Sequence, residues 1–156
     1  MNELQNKTAY ITGGSKGIGL GIAKCLLEKG MRVSITGRNL EAVKKAAQSL
    51  TTDPSKILAL QSEVSHWDDE QKAVAATIQH FGQLDVLVAN AGVGHFEAID
   101  SLSPQQWKET NDTNLTGVFN SVKACIEQLK QSQGYIITIA SLAGANFFET
   151  ASAYNA

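Results

Sequence analysis

The sequence predicts an α/β fold built on a doubly wound parallel sheet, and three observations predict it. Strand-like and helix-like patterns alternate along the 156 residues, which is the order of a parallel sheet with right-handed helical crossovers. Two strand segments, 84–89 and 135–140, are nearly continuous apolar runs, as in strands covered by helices on both faces. A glycine-rich turn follows the first strand, at the sheet edge where such folds bind ligands.

The first half of the chain divides into three strand–helix units. Residues 8–12, 32–36 and 57–60 are predicted strands. The first helix ends at Gly30, and the second runs from Leu40 to Leu50 before a break at Asp53 and Pro54. In the third helix Ser65 is the predicted N-cap, and Gly82 ends it.

The second half continues the alternation with a fourth strand, a long helix and a fifth strand. Residues 84–89 and 135–140 are the strands, and the helix starts at Ser103-Pro104 and continues past Trp107 and Leu115 to Leu129. Asn114 and Gly117 are poor residues for a helix interior. We therefore expect a distorted turn there, the alternative being an exposed Asn that a long helix tolerates.

Composition fits one globular domain. Apolar residues make up 43% and charged residues 18% of the chain, which is enough to build a core. The net charge of −2 gives no general attraction to nucleic acid or to an acidic membrane, so neither is an expected partner. The first seven residues are polar, unlike a signal peptide, and no segment reaches transmembrane length, so the cytoplasm is the predicted compartment.

The two cysteines and the histidines predict no metal site. Cys25 and Cys125 lie far apart in predicted helices, and we expect both to be reduced and packed in the interior. A Cys/His cluster with zinc-ligand spacing is absent from the sequence.

The run from Thr12 to Gly19 is the strongest functional signal. Gly13 allows a tight turn, Gly17 allows close approach to a pyrophosphate, and Gly19 allows the helix to pack near the strand. The first N–H groups of the helix and its dipole then face phosphates. The alternative is a flexible surface loop. The predicted cofactor-binding residues of this turn are Gly13, Ser15, Lys16, Gly17, Ile18 and Gly19.

The ends of the other strands carry residues suited to the same ligand. Because the carboxyl ends of parallel strands share one edge, the loops after all five strands should meet there. Arg38 follows the second strand, Glu63 and Val64 the third, and Asn90-Ala91-Gly92 the fourth. The small residues of the last group let a ring or ribose approach the backbone, although Gly92 could serve only as a turn residue.

Ser141 follows the fifth strand, and Tyr154 lies thirteen residues later. Together with the glycine turn, Asn90-Ala91-Gly92 and Asn114, they resemble the short-chain dehydrogenase/reductase family, in particular its 3-oxoacyl-[acyl-carrier-protein] reductases. The resemblance covers the whole chain. It implies a Rossmann-type sheet that binds NAD or NADP and an oxidoreductase that moves a hydride between the nicotinamide and a small carbonyl or alcohol substrate.

The resemblance also implies roles for three catalytic residues. Tyr154 would be the proton donor or acceptor, Ser141 would hydrogen-bond the substrate oxygen, and Asn114 would hold the distorted helix and a relay water. The family's lysine would fall at position 158, beyond Ala156. A nearby cation favours a phenolate, so we expect little catalysis from this chain alone.

The residue after the second strand predicts the cofactor. A carboxylate there would bind the ribose hydroxyls and repel a 2′-phosphate, but this chain has Arg38, and Lys16 lies in the glycine turn. In the family, basic residues at these positions indicate NADP rather than NAD. The alternative is a pair of solvated surface cations.

The resemblance finally implies that residues 1–156 are a single NAD(P)-binding Rossmann domain, incomplete at its C-terminus. The family's last strands would be absent, which leaves the fifth strand as an exposed edge. We expect a shortened form of a longer enzyme whose full-length form is a homodimer or homotetramer. The alternatives are a nucleotide-binding module without catalysis and an inactive fragment.

Overall fold

The computed structural model describes residues 3–156 as one five-stranded parallel sheet with helices on both faces. The strands are β1 (Thr8–Ile11), β2 (Arg32–Gly37), β3 (Ile57–Gln61), β4 (Val86–Ala89) and β5 (Tyr135–Thr138). The helices are α1 (Gly17–Glu28), α2 (Leu40–Leu50), α3 (Trp67–Phe81), α4 (Pro104–Asn111), α5 (Gly117–Ser132) and α6 (Ser152–Asn155). The predicted fold class is confirmed.

The strand order is β3-β2-β1-β4-β5, and each neighbouring pair is parallel. The chain winds outward from β1 to β3 and then crosses back to β4, so the order reverses between β1 and β4. A crevice forms at such a reversal, outside the carboxyl ends of the strands. The loops that follow β1 and β4 therefore meet at the place where a ligand is expected.

Two apolar clusters lie on opposite faces of the sheet, because neighbouring side chains of a strand point to opposite faces. On one face Ile11 packs with residues of α1 and α2, such as Ala23 and Val43. On the other face Tyr10 packs with residues of α3 and α5, such as Val74 and Leu129. Helices thus cover both faces of the central strands.

The predicted distortion in the long helix is confirmed as a π-helical segment, Asp112–Thr116, between α4 and α5. It contains Asn114 and is followed by Gly117, where a Cβ would lie 2.5 Å from Val64 Cγ2. Single π-turns inside α-helices are frequent at functional sites. The helix is therefore irregular at the level of the predicted site, and Gly117 lets it approach the loop after β3.

The sequence predicts that helices cover both faces of the fifth strand, and this prediction is wrong. The predicted exposure of the edge of that strand is confirmed. Within the described chain β5 pairs with β4 alone, and all four of its residues are exposed, including Tyr135 at 72% and Ile137 at 47%. The strand also ends at Thr138 rather than at residue 140. This apolar strand therefore has an unpaired edge and accessible faces.

The packed position predicted for Cys25 is wrong, because this thiol is exposed, whereas Cys125 is buried. Cys25 is two residues from buried Ala23 on α1, which places it about 200° around the helix. Both cysteines are free, as predicted.

The predicted N-cap Ser65 is also wrong by one residue. His66 occupies the N-cap of α3, and the Ser65 hydroxyl contacts Glu63 Oε1 at 3.3 Å. Leu115 and Trp107, on the predicted apolar path of the long helix, are exposed. Over residues 3–156 no helix combines the length and apolar character needed to cross a membrane.

Candidate functional site

Two adjoining cavities open along the carboxyl edge of the sheet, with volumes of about 490 and 590 Å³. The first lies over the glycine turn and the ends of β2 and β3, and the second lies beside Ser141 and Tyr154. Their shared wall consists of Ile18, Asn90, Ala91, Gly92 and Val93. One extended molecule can therefore occupy both cavities across this wall.

The glycine turn depends on two positions where a side chain has no room. Gly13 has φ +65°, and a Cβ there would lie 2.9 Å from the Ala91 Cα. A Cβ on Gly19 would lie 2.5 Å from Asn90 Nδ2 and 2.6 Å from the Gly13 carbonyl oxygen. Gly19 therefore lets α1 pack against the loop after β4. The close contact at Gly19 is with this loop rather than with the strand that precedes the helix.

The N-terminus of α1 has the features of a phosphate site. Lys16 stands at the N-cap and has no side-chain oxygen to cap the helix, and the first turn contains no acidic residue. The first N–H groups of a helix lack intrahelical partners and carry partial positive charge. Gly17 has open space where a Cβ would be. These features fit a pyrophosphate in the first cavity.

Thr12 begins the predicted turn but was not among its predicted cofactor-binding residues, and it joins the glycine turn to the loop after β4. Its hydroxyl oxygen accepts the backbone N–H groups of Asn90 and Ala91, each at 3.0 Å. The Asn90 side chain in turn donates to the Thr12 and Gly13 carbonyl oxygens at 2.9 and 3.2 Å. The sequence signal for Thr12 was its position directly before the first glycine of the turn.

Charged groups from three loops and a helix meet beside the first cavity, and two of them, Arg38 and Glu63, line it. Arg38 Nε lies 3.8 Å from Glu63 Oε2, and its Nη1 lies 3.4 Å from Glu109 Oε1 on α4. The other Glu109 oxygen contacts His95 Nε2 at 3.0 Å. The hydrogen bond from His95 and the nearby Arg38 guanidinium lower the pKa of Glu109 below its usual value. Its carboxylate is therefore ionised at neutral pH.

A buried carboxylate holds the loop after β3 from below. Glu70 is fully buried and accepts hydrogen bonds from the hydroxyls of Tyr10 (3.0 Å), Ser62 (2.6 Å) and Ser121 (2.7 Å). Burial, followed by the nearby Glu70, raises the pKa of Tyr10 well above its usual value. Asn120 Nδ2 also donates to the Val64 carbonyl at 2.9 Å. The loop that carries Glu63 is thus fixed from α3 and from α5.

The second cavity brings together the three predicted catalytic residues. The Ser141 oxygen accepts the Ala143 N–H at 3.2 Å, which leaves the hydroxyl hydrogen available for a ligand. The Tyr154 ring packs against Phe96 with centroids 5.4 Å apart. Asn114 makes two hydrogen bonds to the Val93 backbone, at 2.9 and 2.8 Å, so its side chain fixes the shared wall.

The predicted site residues gather at one edge of the sheet. Those lining the first cavity are Gly13, Ser15, Lys16, Gly17, Ile18, Arg38, Glu63, Val64, Asn90, Ala91 and Gly92, and those lining the second include Asn114, Ser141 and Tyr154. Gly19 lies beneath the turn. Sequence reasoning missed the lining residues Ser62, Val93 and Thr113, which carry no motif of their own. Within residues 3–156 no group of three or more His, Cys, Asp or Glu side chains could hold a metal ion.

The fold and the site define a dinucleotide-binding α/β protein, and comparison with known sequences specifies the family. Residues 7–156 match the short chain dehydrogenase family. An uncharacterized oxidoreductase of Staphylococcus epidermidis is 37% identical over 158 aligned positions, which cover 100% of this chain and 67% of the relative. A 3-oxoacyl-[acyl-carrier-protein] reductase of Chlamydia muridarum is 39% identical, with 90% of this chain and 58% of the relative covered.

Solved structures give the same result. An alcohol dehydrogenase from Thermococcus sibiricus, complexed with 5-hydroxy-NADP, superposes with a TM-score of 0.92 at 30% identity, covering 97% of this chain and 65% of that one. A short chain dehydrogenase/reductase from Burkholderia phymatum, in complex with NAD, has a TM-score of 0.93 at 25% identity, with coverages of 99% and 56%. The chain belongs to the short-chain dehydrogenase/reductase family of oxidoreductases, and it spans about two thirds or less of the length of these relatives.

Proposed function

We propose that this chain is the nucleotide-binding part of an NADP-dependent oxidoreductase that acts on a small carbonyl or alcohol substrate. The main support is that the two cavities share one wall, with a phosphate-binding turn in the first and Ser141 and Tyr154 in the second. The likeness to a 3-oxoacyl-[acyl-carrier-protein] reductase suggests a ketone as the oxidised substrate. A homo-oligomer and a cytoplasmic location belong to the same proposal.

In this proposal the first cavity holds the nucleotide. The uncapped N–H groups of α1 bind the pyrophosphate, and Glu63 and Val64 lie beside the adenine. The small residues Ala91 and Gly92 let the nicotinamide-side ribose pass from the first cavity to the second. When bound, the nicotinamide supplies or accepts the hydride.

Tyr154 and Ser141 then act on the substrate oxygen. During reduction the Tyr154 hydroxyl gives its proton to the carbonyl oxygen, and during oxidation the phenolate takes that proton back. The Ser141 hydroxyl donates a hydrogen bond to the same oxygen and so stabilises the charge that develops there. Asn114 keeps the shared wall in place through Val93.

A binding titration followed by an activity assay tests the proposal on the protein as the cell makes it, including any residues that follow Ala156. NADPH binding should be detected by its fluorescence, and NADPH-dependent reduction of a ketone panel should be lost in Tyr154→Phe without loss of binding. Full activity in Tyr154→Phe would contradict the mechanism. Binding without turnover on any ketone or alcohol would favour a non-catalytic nucleotide-binding module, and absence of binding would leave an inactive fragment.

Arg38 is the proposed determinant of NADP preference, and its replacement gives a separate prediction. Arg38→Asp should weaken NADPH binding about ten- to a hundredfold, because charge-assisted hydrogen bonds to the 2′-phosphate are lost. NADH binding should be retained, so the preference reverses. The control is Lys130→Asp, which makes the same charge change on the exposed face of α5. Equal affinity of the unaltered protein for NADPH and NADH would contradict the assignment.

A further inference from the structure

Four charged or ionisable side chains contact one another in sequence beside the first cavity: Glu63 and Arg38 line the cavity, Glu109 contacts Arg38, and His95 contacts Glu109. We propose that Glu109 sets the discrimination between 2′-phosphorylated and unphosphorylated nucleotide by competing with the phosphate for Arg38. We propose further that His95 weakens this competition by holding Glu109. The inference rests on the proposed function, since it assumes that NADP or NAD occupies the first cavity.

The Arg38 guanidinium contacts two carboxylates. Glu63 faces its Nε at 3.8 Å, and Glu109 faces its Nη1 at 3.4 Å. The Arg38 side chain is 60% exposed, and exposed ion pairs of this length are weak. Arg38 can therefore leave Glu109 for a better partner, and a phosphate, which accepts two parallel hydrogen bonds from a guanidinium, is such a partner.

Glu109 is placed to oppose that exchange. It lies on α4 and reaches the loop after β2, so its carboxylate stays near Arg38 when the guanidinium turns toward a ligand. A phosphate bound to Arg38 would then lie within a few ångströms of a second negative charge. At that range like charges repel in the partly solvated rim of a cleft. The presence of Glu109 should accordingly lower the affinity for a nucleotide with a 2′-phosphate and leave that for NADH nearly unchanged.

His95 provides Glu109 with another partner. Its Nε2 lies 3.0 Å from Glu109 Oε2, a shorter contact than the one between Glu109 and Arg38. The imidazole side chain is 28% exposed and comes from the loop after β4. When Arg38 leaves, Glu109 still has a hydrogen-bond donor, so the cost of separating the ion pair is smaller. His95 is therefore a positioning residue that acts through Glu109.

Three variants of the full chain test the inference through the ratio of the NADH to the NADPH dissociation constant, measured by fluorescence titration at one pH and ionic strength. Glu109→Gln should raise this ratio about two- to fivefold, the range expected for loss of an exposed charge interaction. His95→Ala should lower this ratio about twofold, because Glu109, no longer held by His95, then competes more strongly with the phosphate for Arg38. The double variant should match Glu109→Gln, since His95 has no carboxylate left to hold.

Glu127→Gln is the matched control, because it removes one carboxylate from the exposed face of α5 and should leave the ratio unchanged. The NADH dissociation constant reports whether each variant keeps a folded site. An unchanged ratio in Glu109→Gln, or a loss of affinity for both nucleotides alike, would overturn the inference while the NADP assignment stands. An additive double variant would overturn the role of His95. If the unaltered protein bound neither nucleotide, the proposed function would fail, and this inference with it.

Discussion

Cys25 and Cys125 show how the surroundings of a residue decide its chemistry. Cys125 lies in the core between α5 and the sheet, and burial, followed by the nearby Glu70, raises the pKa of its thiol above the usual range. Cys25 lies on the exposed side of α1. Burial in the folded protein, rather than any property of the thiol itself, thus keeps Cys125 neutral.

Cys125 should make the stability of the protein fall at alkaline pH. In the unfolded chain a thiol ionises above about pH 8.5, whereas the folded protein keeps it protonated, so the unfolded state is favoured by about 1.4 kcal/mol per further pH unit. Denaturant titrations of Cys125→Ala should show a smaller slope between pH 8.5 and 10, although this variant is less stable at every pH because of the cavity. A slope in Cys125→Ala equal to that of the unaltered protein would contradict the assignment.

Single residues were also the hardest features to predict. Glu70 follows Asp68 and Asp69 in the first turn of α3, where acidic residues usually interact with the helix dipole in solvent. Its burial depends on hydroxyls from Tyr10, Ser62 and Ser121, which are distant in sequence. The pairs of Glu109 with Arg38 and His95 likewise depend on contacts between loops and a helix that no local pattern specifies.

Among the elements, α1 contains three glycines, and the surroundings of two of them, Gly19 and Gly21, differ sharply. Gly19 is buried against Asn90 and Gly13, whereas Gly21 has open space around the position of a Cβ. Gly19 is needed for packing against the loop after β4, and Gly21 is not.

Alanine at these two positions should have opposite effects on the free energy of unfolding. Gly19→Ala should lower it by about 1–3 kcal/mol, as expected for overpacking against backbone, and should weaken NADPH binding because the turn shifts. Gly21→Ala should raise the free energy of unfolding by about 0.4–1 kcal/mol, because alanine favours the helix and lowers the conformational entropy of the unfolded chain. Urea denaturation measures both. A neutral Gly19→Ala would show that α1 can move away from the loop without loss.

At the scale of the whole molecule, β5 is the feature with the strongest consequence in solution. It pairs with β4 on one side, and its residues Tyr135, Ile136 and Ile137 are exposed. An exposed apolar strand with an unpaired edge promotes association with other chains.

We expect the 156-residue chain to self-associate, and Ile137→Lys to reduce this association, because edge lysines oppose strand pairing. Light scattering over a concentration series should show a smaller mean mass for the variant. Ile99→Lys is the control, since Ile99 is 74% exposed but lies outside the sheet. A monodisperse monomer before any substitution would remove the basis for this prediction.

The architecture was predicted more fully than the site. Alternating periodicity and the glycine turn were sufficient for the order of strands and helices, because both are local properties of the chain. Asn114 and Gly117 were sufficient for the irregular turn in the long helix, since both residues disfavour helix. The exposure of Cys25 and Leu115 depends on how a helix is rotated against the sheet, and this rotation follows from packing rather than from local sequence.

The irregular helix from α4 to α5 supports both compartments of the cleft. Asn114 holds Val93 at the shared wall, and Asn120 holds Val64 at the first cavity. A shift of this irregular helix as a whole would therefore displace both attachment points together. The shapes of the two cavities are thus expected to change in concert, because one continuous helical segment fixes a wall of each.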